Sequence, residues 1–388
     1  MVSPSKLCGH PINRLHCGHI LHSLPDQSCT EALLWNLYRN HVSSAKYYLP
    51  VLLFPLIFNW RRQTKRRLWA TVKNYLETTH FVSVINAFTI YLLCVFRRLN
   101  GRYVYLYTPF IPCYLASQVT WWAPPKVLQF YVTGVTHSAM EAVLRQLDVS
   151  LVHSRPAQTL IFMLCSMVVL RQQQAHGYSG FWFIKPARVP LDYNEWSSER
   201  RLKQALMELR TYLGIGLVLD VLNAVLRMEL KKLNFKSTGF MLGYVALYKL
   251  VQCVLAGRLE LRYTNLLAAF LSGGSLGLFN RKPLSFMCLA VVTAIQVLWQ
   301  QLCSVDANHN RLLADVQRIP WAKLLIPPNL AYLLHSMIFQ RHVVNGLAKS
   351  FINSTCDKNV QRVYSFLNMP VETIMTTVYE LPITSFLF

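Results

Sequence analysis

The residues with the clearest capacity for chemistry are cysteines and histidines near the N-terminus. Seven of them crowd into a short segment: Cys8, His10, His16, Cys17, His19, His22 and Cys29. Thiolate and imidazole groups at this density can bind zinc in tetrahedral geometry. The repeated Cys-x-His pairs make Cys8, His10, Cys17 and His19, together with Cys29, the predicted ligands. Their spacing matches no standard zinc finger, so a redox or structural head without metal is the open alternative.

A second group of candidates consists of polar side chains inside apolar stretches. They are Asn86, Glu141, Asp220, Lys249, Gln296 and His335. A charge within lipid is costly unless it faces a partner or water, so such residues often mark functional positions. A buried pair of Glu141 with Lys249 makes electrostatic sense. The alternative is that Lys249 snorkels and Glu141 merely ends a helix.

The composition predicts that these residues are positioned by membrane helices. Apolar residues make up 53% of the 388 and charged residues only 14%, against roughly 25% charged in ordinary soluble domains. Residues 103–125, 263–279 and 283–305 contain no Asp, Glu, Lys or Arg. About 20 apolar residues cross a bilayer as a helix, so we expect these three to span. Shorter candidates are 78–96, 127–140, 157–170, 211–226 and 324–340.

The net charge of +22 is clustered at the ends of these apolar segments. No motif for nucleic-acid recognition accompanies the charge, so lipid headgroups are the expected partner and nucleic acid is not. The first 30 residues lack the continuous apolar core of a signal peptide. Six of the ten cysteines, Cys94 among them, fall in or beside apolar segments and are expected to behave as small hydrophobes.

The apolar segments look duplicated. Residues 81–147 and 240–302 each carry three long apolar runs, and Lys126 aligns with Lys282 at an offset of 282 − 126 = 156 residues. Two small-xxx-small pairs, Gly239 with Gly243 and Gly273 with Gly277, predict close helix packing in the second passage. The expected fold is an all-α, multi-spanning integral membrane protein with two similar helical repeats and glycine-mediated packing.

The predicted organisation has five segments. They are a Cys/His-rich head (1–45), a first membrane repeat (46–170), a polar extramembrane connection (171–210), a second membrane repeat (211–345) and a C-terminal tail (346–388). The common motifs of nucleotide, zinc-protease and serine-hydrolase sites are absent. We therefore expect no enzymatic activity and assign no catalytic residue.

Several passages, in order along most of the chain, resemble a known family. They are Ser28-Cys29, Tyr48-Leu49-Pro50, the block 86–147 with Arg97-Arg98-Leu99-Asn100-Gly101, Gly180-Phe181, Gly243 to Lys249, and 268–279. On these residues the chain resembles the transmembrane protein 135 family, also called peroxisomal membrane protein 52. That family is distantly similar to the mitochondrial inner-membrane translocase superfamily. The Cys/His spacing of the head differs from the family, and the resemblance carries over no catalytic residue.

The resemblance implies a function that the residues alone do not. It implies a multi-pass protein of peroxisomal and mitochondrial membranes that regulates mitochondrial fission, peroxisome organisation and lipid homeostasis. The mitochondrial fission machinery is then an expected partner. A lipid or metabolite transporter built from two repeats is the alternative, and a membrane-embedded enzyme ranks third. The sequence leaves the oligomeric state and the membrane orientation open.

Overall fold

The computed structural model describes residues 13, 16–22, 26–58, 64–104, 108–177, 180–226, 234–279, 283–304 and 311–368. Within these ranges the chain is helical and contains no β-strand, as the sequence predicts. The helices are α1 (Cys17–Leu21), α2 (Cys29–Phe58), α3 (Lys65–Asn100), α4 (Phe110–Ala116), α5 (Pro125–Gln146), α6 (Ser150–His153), α7 (Arg155–His176), α8 (Ser198–Leu226), α9 (Lys236–Leu255), α10 (Leu261–Ser272), α11 (Ser275–Phe279), α12 (Pro283–Ser304), α13 (Arg311–Arg318), α14 (Trp321–Phe339), α15 (Gly346–Thr355) and α16 (Asn359–Leu367). Two 3₁₀ helices, Ser117–Trp122 and Leu191–Glu195, lie between them.

Three of the described helices, α3, α9 and α12, are long and apolar enough to cross a membrane. Helix α12 coincides with the predicted span 283–305, and α3 contains the shorter candidate 78–96. Thr64 caps the start of α3, because its hydroxyl accepts a hydrogen bond from the Arg67 amide. Gly101 follows the last residue of α3 and caps it, and its left-handed backbone suits a residue without a Cβ.

The predicted span 103–125 is wrong. The structure has the seven-residue helix α4 followed by a 3₁₀ helix that ends at Trp122. Prolines explain the break, because Pro109 precedes α4, and the pair Pro124-Pro125 forces the preceding backbone out of helical geometry. The absence of charge indicated burial here, but not a continuous helix.

The predicted span 263–279 is also interrupted. Helix α10 ends at Ser272, and α11 begins at Ser275 after a turn at Gly273-Gly274. Leu276 donates its amide to the carbonyl of Gly273 at 3.1 Å, which closes that turn. The result is two short helices in place of one.

The contacts divide the chain into two compact units. Unit 1 contains the described residues up to Gln146 and from Pro320 onward, and unit 2 runs from Leu147 to Ile319. In unit 1, α3 packs against α2 and α4, and α14 packs against α5. In unit 2, α9 packs against α8 and α10, and α12 packs against α7. Each unit has its own apolar core.

The observed units and helices differ from the predicted segments at four helices. Helix α7 was assigned to the first repeat but packs in unit 2, and α14 was assigned to the second repeat but packs in unit 1. Helix α2 runs from Cys29 to Phe58 and so crosses the predicted head boundary at residue 45. Helix α8 joins the expected polar connection and the candidate 211–226 into one 29-residue helix.

Both predicted repeats contain the same succession of elements. A long apolar helix (α3 or α9) is followed by an interrupted segment and then by a 22-residue helix that begins at a proline, α5 or α12. The duplication itself stays a prediction.

Candidate metal centre

Four side chains of unit 1 that can bind a metal ion come together at one end of α3. Cys17 opens α1, His22 follows it, Cys29 opens α2, and Cys94 lies on α3 six residues before its last residue, Asn100. Their ligand atoms all lie within 4.8 Å of one another. Cys17, His22 and Cys94 are buried, while Cys29 is partly exposed.

The separations between these atoms match a tetrahedral zinc site. The Sγ atoms of Cys17 and Cys29 are 3.8 Å apart, and Cys94 Sγ lies 3.4 Å from His22 Nε2. Two sulfurs at about 2.3 Å from zinc, at the tetrahedral angle, are separated by about 3.8 Å, and a sulfur and a nitrogen by about 3.6 Å. These two separations are therefore those of a tetrahedral zinc site, and the remaining ligand atoms lie within 4.8 Å of one another.

The imidazole of His22 is held in the tautomer that a metal requires. Its Nδ1 lies 2.9 Å from the carbonyl oxygen of Gln27, which can only accept, so Nδ1 carries the proton. The lone pair of Nε2 is then directed at Cys94 and the centre of the cluster. A hydrogen bond of this kind to the distal nitrogen is typical of histidines that bind metals.

The cluster also favours the ionised forms of two of its thiols, those of Cys17 and Cys29. The hydrogen bond from Cys94 lowers the pKa of the Cys17 thiol, against the opposing effect of burial, and His22 lowers it further. The same thiol of Cys94 lowers the pKa of Cys29. Burial disfavours the charged form of His22, but its contact with Cys17 raises the pKa overall. Thiolates are the form that binds metal.

Neighbouring residues fix the backbone around the cluster. Arg97 on α3 donates to the carbonyl of Asn13 at 3.0 Å, and the amide of Tyr103 donates to the Asn13 side chain at 2.9 Å. Arg362 on α16 donates to the carbonyl of His22 at 2.8 Å. The segment that carries two of the four ligands is thus attached to α3 and to α16 independently of any ion.

The structure brings two of the five predicted ligands together in this cluster. Cys17 and Cys29 belong to the cluster, and Cys8 and His10 lie outside the described residues. His19 lies on α1 but is not among the clustered side chains. His22 and Cys94 take part instead. His22 stood out only as one member of the crowded segment, and Cys94 gave no local signal because it is 72 residues further along the chain.

The predicted pair of Glu141 and Lys249 is replaced by two separate networks. In unit 1 the fully buried Glu141 accepts from Arg145 at 2.5 Å and from Asn345 at 2.7 Å. Asn345 also caps α15, because its Oδ1 accepts from the Ala348 amide at 2.7 Å. Glu141 thus joins α5 to the start of α15.

In unit 2 the two predicted charges both join α8 to α9. Lys249 lies 2.7 Å from Glu208 and is buried. Asp220 accepts from the amides of Ser237 and Thr238 at 3.0 and 2.9 Å, and from the Thr238 hydroxyl at 2.8 Å. A carboxylate from one helix thus caps the N-terminus of the next.

The three remaining polar candidates lie apart from the metal centre. Asn86 is half-buried on α3, beside a small apolar cavity of about 30 Å³. His335 lies on α14 with its ring 5.0 Å from that of Phe339, and Gln296 is half-buried on α12 of unit 2. None of the three belongs to the four-ligand cluster.

The four predicted packing glycines all face neighbouring helices of unit 2. A Cβ at Gly273 would approach the Met163 Cα to 2.8 Å, and one at Gly277 would approach Thr159 Oγ1 to 3.0 Å. Gly239 and Gly243 face the ring of Phe279, at 3.4 and 2.4 Å from such a Cβ. Gly273 and Gly277 do not share one helix, however, because the turn at Gly273-Gly274 separates them.

Comparison with family models, with curated proteins and with solved structures found no match to this chain. The interpretation of the cluster therefore depends on the chemistry and geometry of its side chains.

Proposed function

We propose that the four-residue cluster is a structural zinc site. The observation that carries this proposal is the set of separations, 3.8 Å between two sulfurs and 3.4 Å between sulfur and nitrogen. Three thiolates and one imidazole form a ligand set common in structural zinc sites. Four protein ligands also complete the tetrahedral shell and leave no position for a substrate, so the ion has a structural role.

The ion would join three elements that are distant in sequence. It connects α1 and the start of α2 to the C-terminal part of α3, one of the three apolar helices. Because the four ligands are rarely assembled in an unfolded chain, the free energy of zinc binding stabilises the folded state. We expect metal analysis of the full chain, purified in detergent without chelators, to find one zinc ion per molecule. Protein without zinc, and unable to take it up after reduction, would refute the zinc proposal.

We further propose that the chain is a non-enzymatic, multi-pass membrane protein of peroxisomes and mitochondria. Its role would be the regulation of mitochondrial fission, peroxisome organisation and lipid homeostasis, with the fission machinery as a partner. The resemblance to the transmembrane protein 135 family supports this role. The three apolar helices support the coarser part, association with a membrane.

Two experiments test the cellular role. Tagged protein should resist alkaline extraction and co-fractionate with peroxisomes and mitochondria. Loss of the gene product should change mitochondrial length, peroxisome number and lipid stores. Cells in which all three stay unchanged would rule out the proposed role. Flux of lipid or metabolite through reconstituted vesicles would favour the transporter alternative instead.

A further inference from the structure

Two of the candidate zinc ligands are also placed to react with each other. Cys17 and Cys29 are free thiols whose Sγ atoms are 3.8 Å apart. A disulfide requires about 2.05 Å between the sulfurs, so the distance between the two Sγ atoms must shorten by less than about 2 Å. The Cys94 Sγ lies 3.4 Å from His22 Nε2 and is also in hydrogen-bonding contact with both of these thiols.

We propose that Cys17 and Cys29 are a peroxide-sensitive pair, and that their oxidation to a disulfide releases the zinc ion. This inference rests on the zinc site proposed above. The oxidant that the site would sense is a hydroperoxide, and hydrogen peroxide is the simplest member of that class.

Exposure determines the order of the reaction. Cys17 and Cys94 have 0% and 1% of their surface exposed, whereas Cys29 is partly exposed at the start of α2. A small oxidant from solvent therefore reaches Cys29 first. Cys17 then lies within reach of the oxidised sulfur.

The chemistry balances in two steps. The Cys29 thiolate attacks one oxygen of hydrogen peroxide, which breaks the O–O bond, releases hydroxide and leaves a sulfenic acid. The Cys17 thiolate then attacks the Cys29 sulfur, forming the S–S bond and releasing a second hydroxide. The two thiolates lose two electrons in total and the peroxide gains them. A small thiol reductant reverses the change by disulfide exchange.

The disulfide would change which elements are connected. Zinc joins α1, α2 and α3, but a bond between Cys17 and Cys29 joins only α1 and α2. His22 and Cys94 alone leave two of the four zinc positions without a protein ligand. The end of α3 therefore loses its attachment through the ion under oxidising conditions.

The test uses the full chain, purified in detergent, reduced, loaded with zinc and treated with hydrogen peroxide. A chromophoric zinc indicator should report release of the bound ion, and peptide mapping should find Cys17 linked to Cys29. Dithiothreitol followed by added zinc should restore the bound ion. Zinc that stays bound through peroxide treatment, or a disulfide that contains Cys94 in place of this pair, would overturn the inference.

Matched variants make the result specific. Cys29→His keeps four zinc-type ligands but removes the thiol that is oxidised first. It should bind zinc and lose the peroxide-induced release of zinc. Cys17→His provides the same test if Cys29→His does not bind zinc. Cys303→Ser removes an exposed cysteine outside the cluster and should behave as the parent. Release from Cys29→His at the parental rate would contradict the proposal. If the parent protein does not bind zinc, the proposed zinc site is refuted. If the parent binds zinc but forms no Cys17–Cys29 disulfide after peroxide treatment, only the proposed oxidation is refuted.

Discussion

At the scale of single residues, Cys94 is the candidate ligand that lies on an apolar helix, while the other three candidates lie on α1, just after it, and at the start of α2. From the apolar residues around it, Cys94 was expected to behave as a small hydrophobic side chain. Its burial agrees with that expectation. Its Sγ nevertheless lies 3.4 Å from His22 Nε2. Burial and ligand function are compatible here, because the apolar shell around a metal site controls the access of solvent to it.

We predict that Cys94→Ala abolishes tight zinc binding. Loss of a supporting hydrogen bond already lowers metal affinity by about 10- to 100-fold, so removal of a direct ligand should lower it by more than about 100-fold. Competition with a chromophoric chelator measures this change. Cys288→Ala is the matched control, since Cys288 is equally buried but lies in unit 2. Equal zinc affinity in both variants would exclude Cys94 as a ligand.

Glu141 provides a second test at this scale. We predict that Glu141→Ala lowers the free energy of unfolding by about 1–3 kcal/mol, because Arg145 and Asn345 both lose an acceptor in a buried site. Glu77→Ala is the comparison, since its i,i+4 pair with Lys73 is on the surface at 3.8 Å. That variant should change stability by no more than about 0.5 kcal/mol. Denaturant unfolding in detergent compares the two, and equal effects would contradict the structural role of Glu141.

Ligand residues were predictable only where they are close in sequence. The crowding of cysteine and histidine identified Cys17 and Cys29 because residues near each other in the chain are near each other in space. Cys94 could be assigned to the cluster only once the structure placed the C-terminal end of α3 beside α1 and the start of α2. A single sequence contains no signal for such a long-range approach.

At the scale of elements, the packing of α8 against α9 depends on a glycine that the predicted motifs did not include. A Cβ at Gly216 would lie 2.6 Å from the Cα of Thr238. Since this neighbour is backbone, it cannot move aside by a change of rotamer. The same contact region contains the hydrogen bonds from α9 to Asp220.

We predict opposite effects for two substitutions on α8. Gly216→Ala should destabilise unit 2 by about 1–3 kcal/mol, as overpacking does. Gly214→Ala places its Cβ in open space and should stabilise the protein by up to about 1 kcal/mol through helix propensity. Thermal unfolding in detergent distinguishes them. Equal shifts of the two midpoints would show that α8 and α9 are not in close contact there.

Asp220 makes a separate prediction for the start of α9. Asp220→Ala removes the acceptor of three hydrogen bonds and should cost about 0.5–2 kcal/mol, the range for loss of a helix cap. Asp315→Ala is a suitable control, because Asp315 is exposed and lies 3.8 Å from Arg318. Hydrogen exchange should accelerate at the first turn of α9 in the Asp220 variant alone. Unchanged protection there would disprove the capping role.

Elements were predicted well where hydropathy and backbone chemistry agree. Helix α12 has an apolar sequence with proline only at its first residue, so the prediction and the structure coincide. Residues 103–125 are equally free of charge but contain several prolines, and backbone restriction prevails over hydropathy. The glycine pair Gly273-Gly274 likewise interrupts an uncharged segment, because α10 ends before it and α11 begins after it.

At the scale of the whole molecule, the chain assembles unit 1 from two separate segments. Helix α14 packs on α5 although the whole of unit 2 lies between them in sequence. The predicted segments followed sequence order, and for this reason they assigned α7 and α14 to the wrong neighbours. Hydropathy identifies apolar helices but does not indicate which of them pack together.

We predict that removal of the metal affects only unit 1. Chelation after mild acid treatment should raise deuterium uptake in α1, the start of α2 and the end of α3, which contain the four ligands. Uptake in α9 and α12 should stay constant, because the helices they pack against, α8 and α10 for α9 and α7 for α12, belong to unit 2. Re-addition of zinc to the neutralised protein should restore the original uptake. A uniform increase across both units would contradict a local structural role.

The order of the metal ligands along the chain has a consequence for biosynthesis. All four have left the ribosome once residue 94 has emerged, whereas the core of unit 1 also needs α14 to α16, which are translated after unit 2. A nascent chain can therefore capture zinc long before its first unit is complete. The ion would then hold α1 and the start of α2 beside α3 until residue 320 is translated, 320 − 94 = 226 residues later, when the second segment of unit 1 begins.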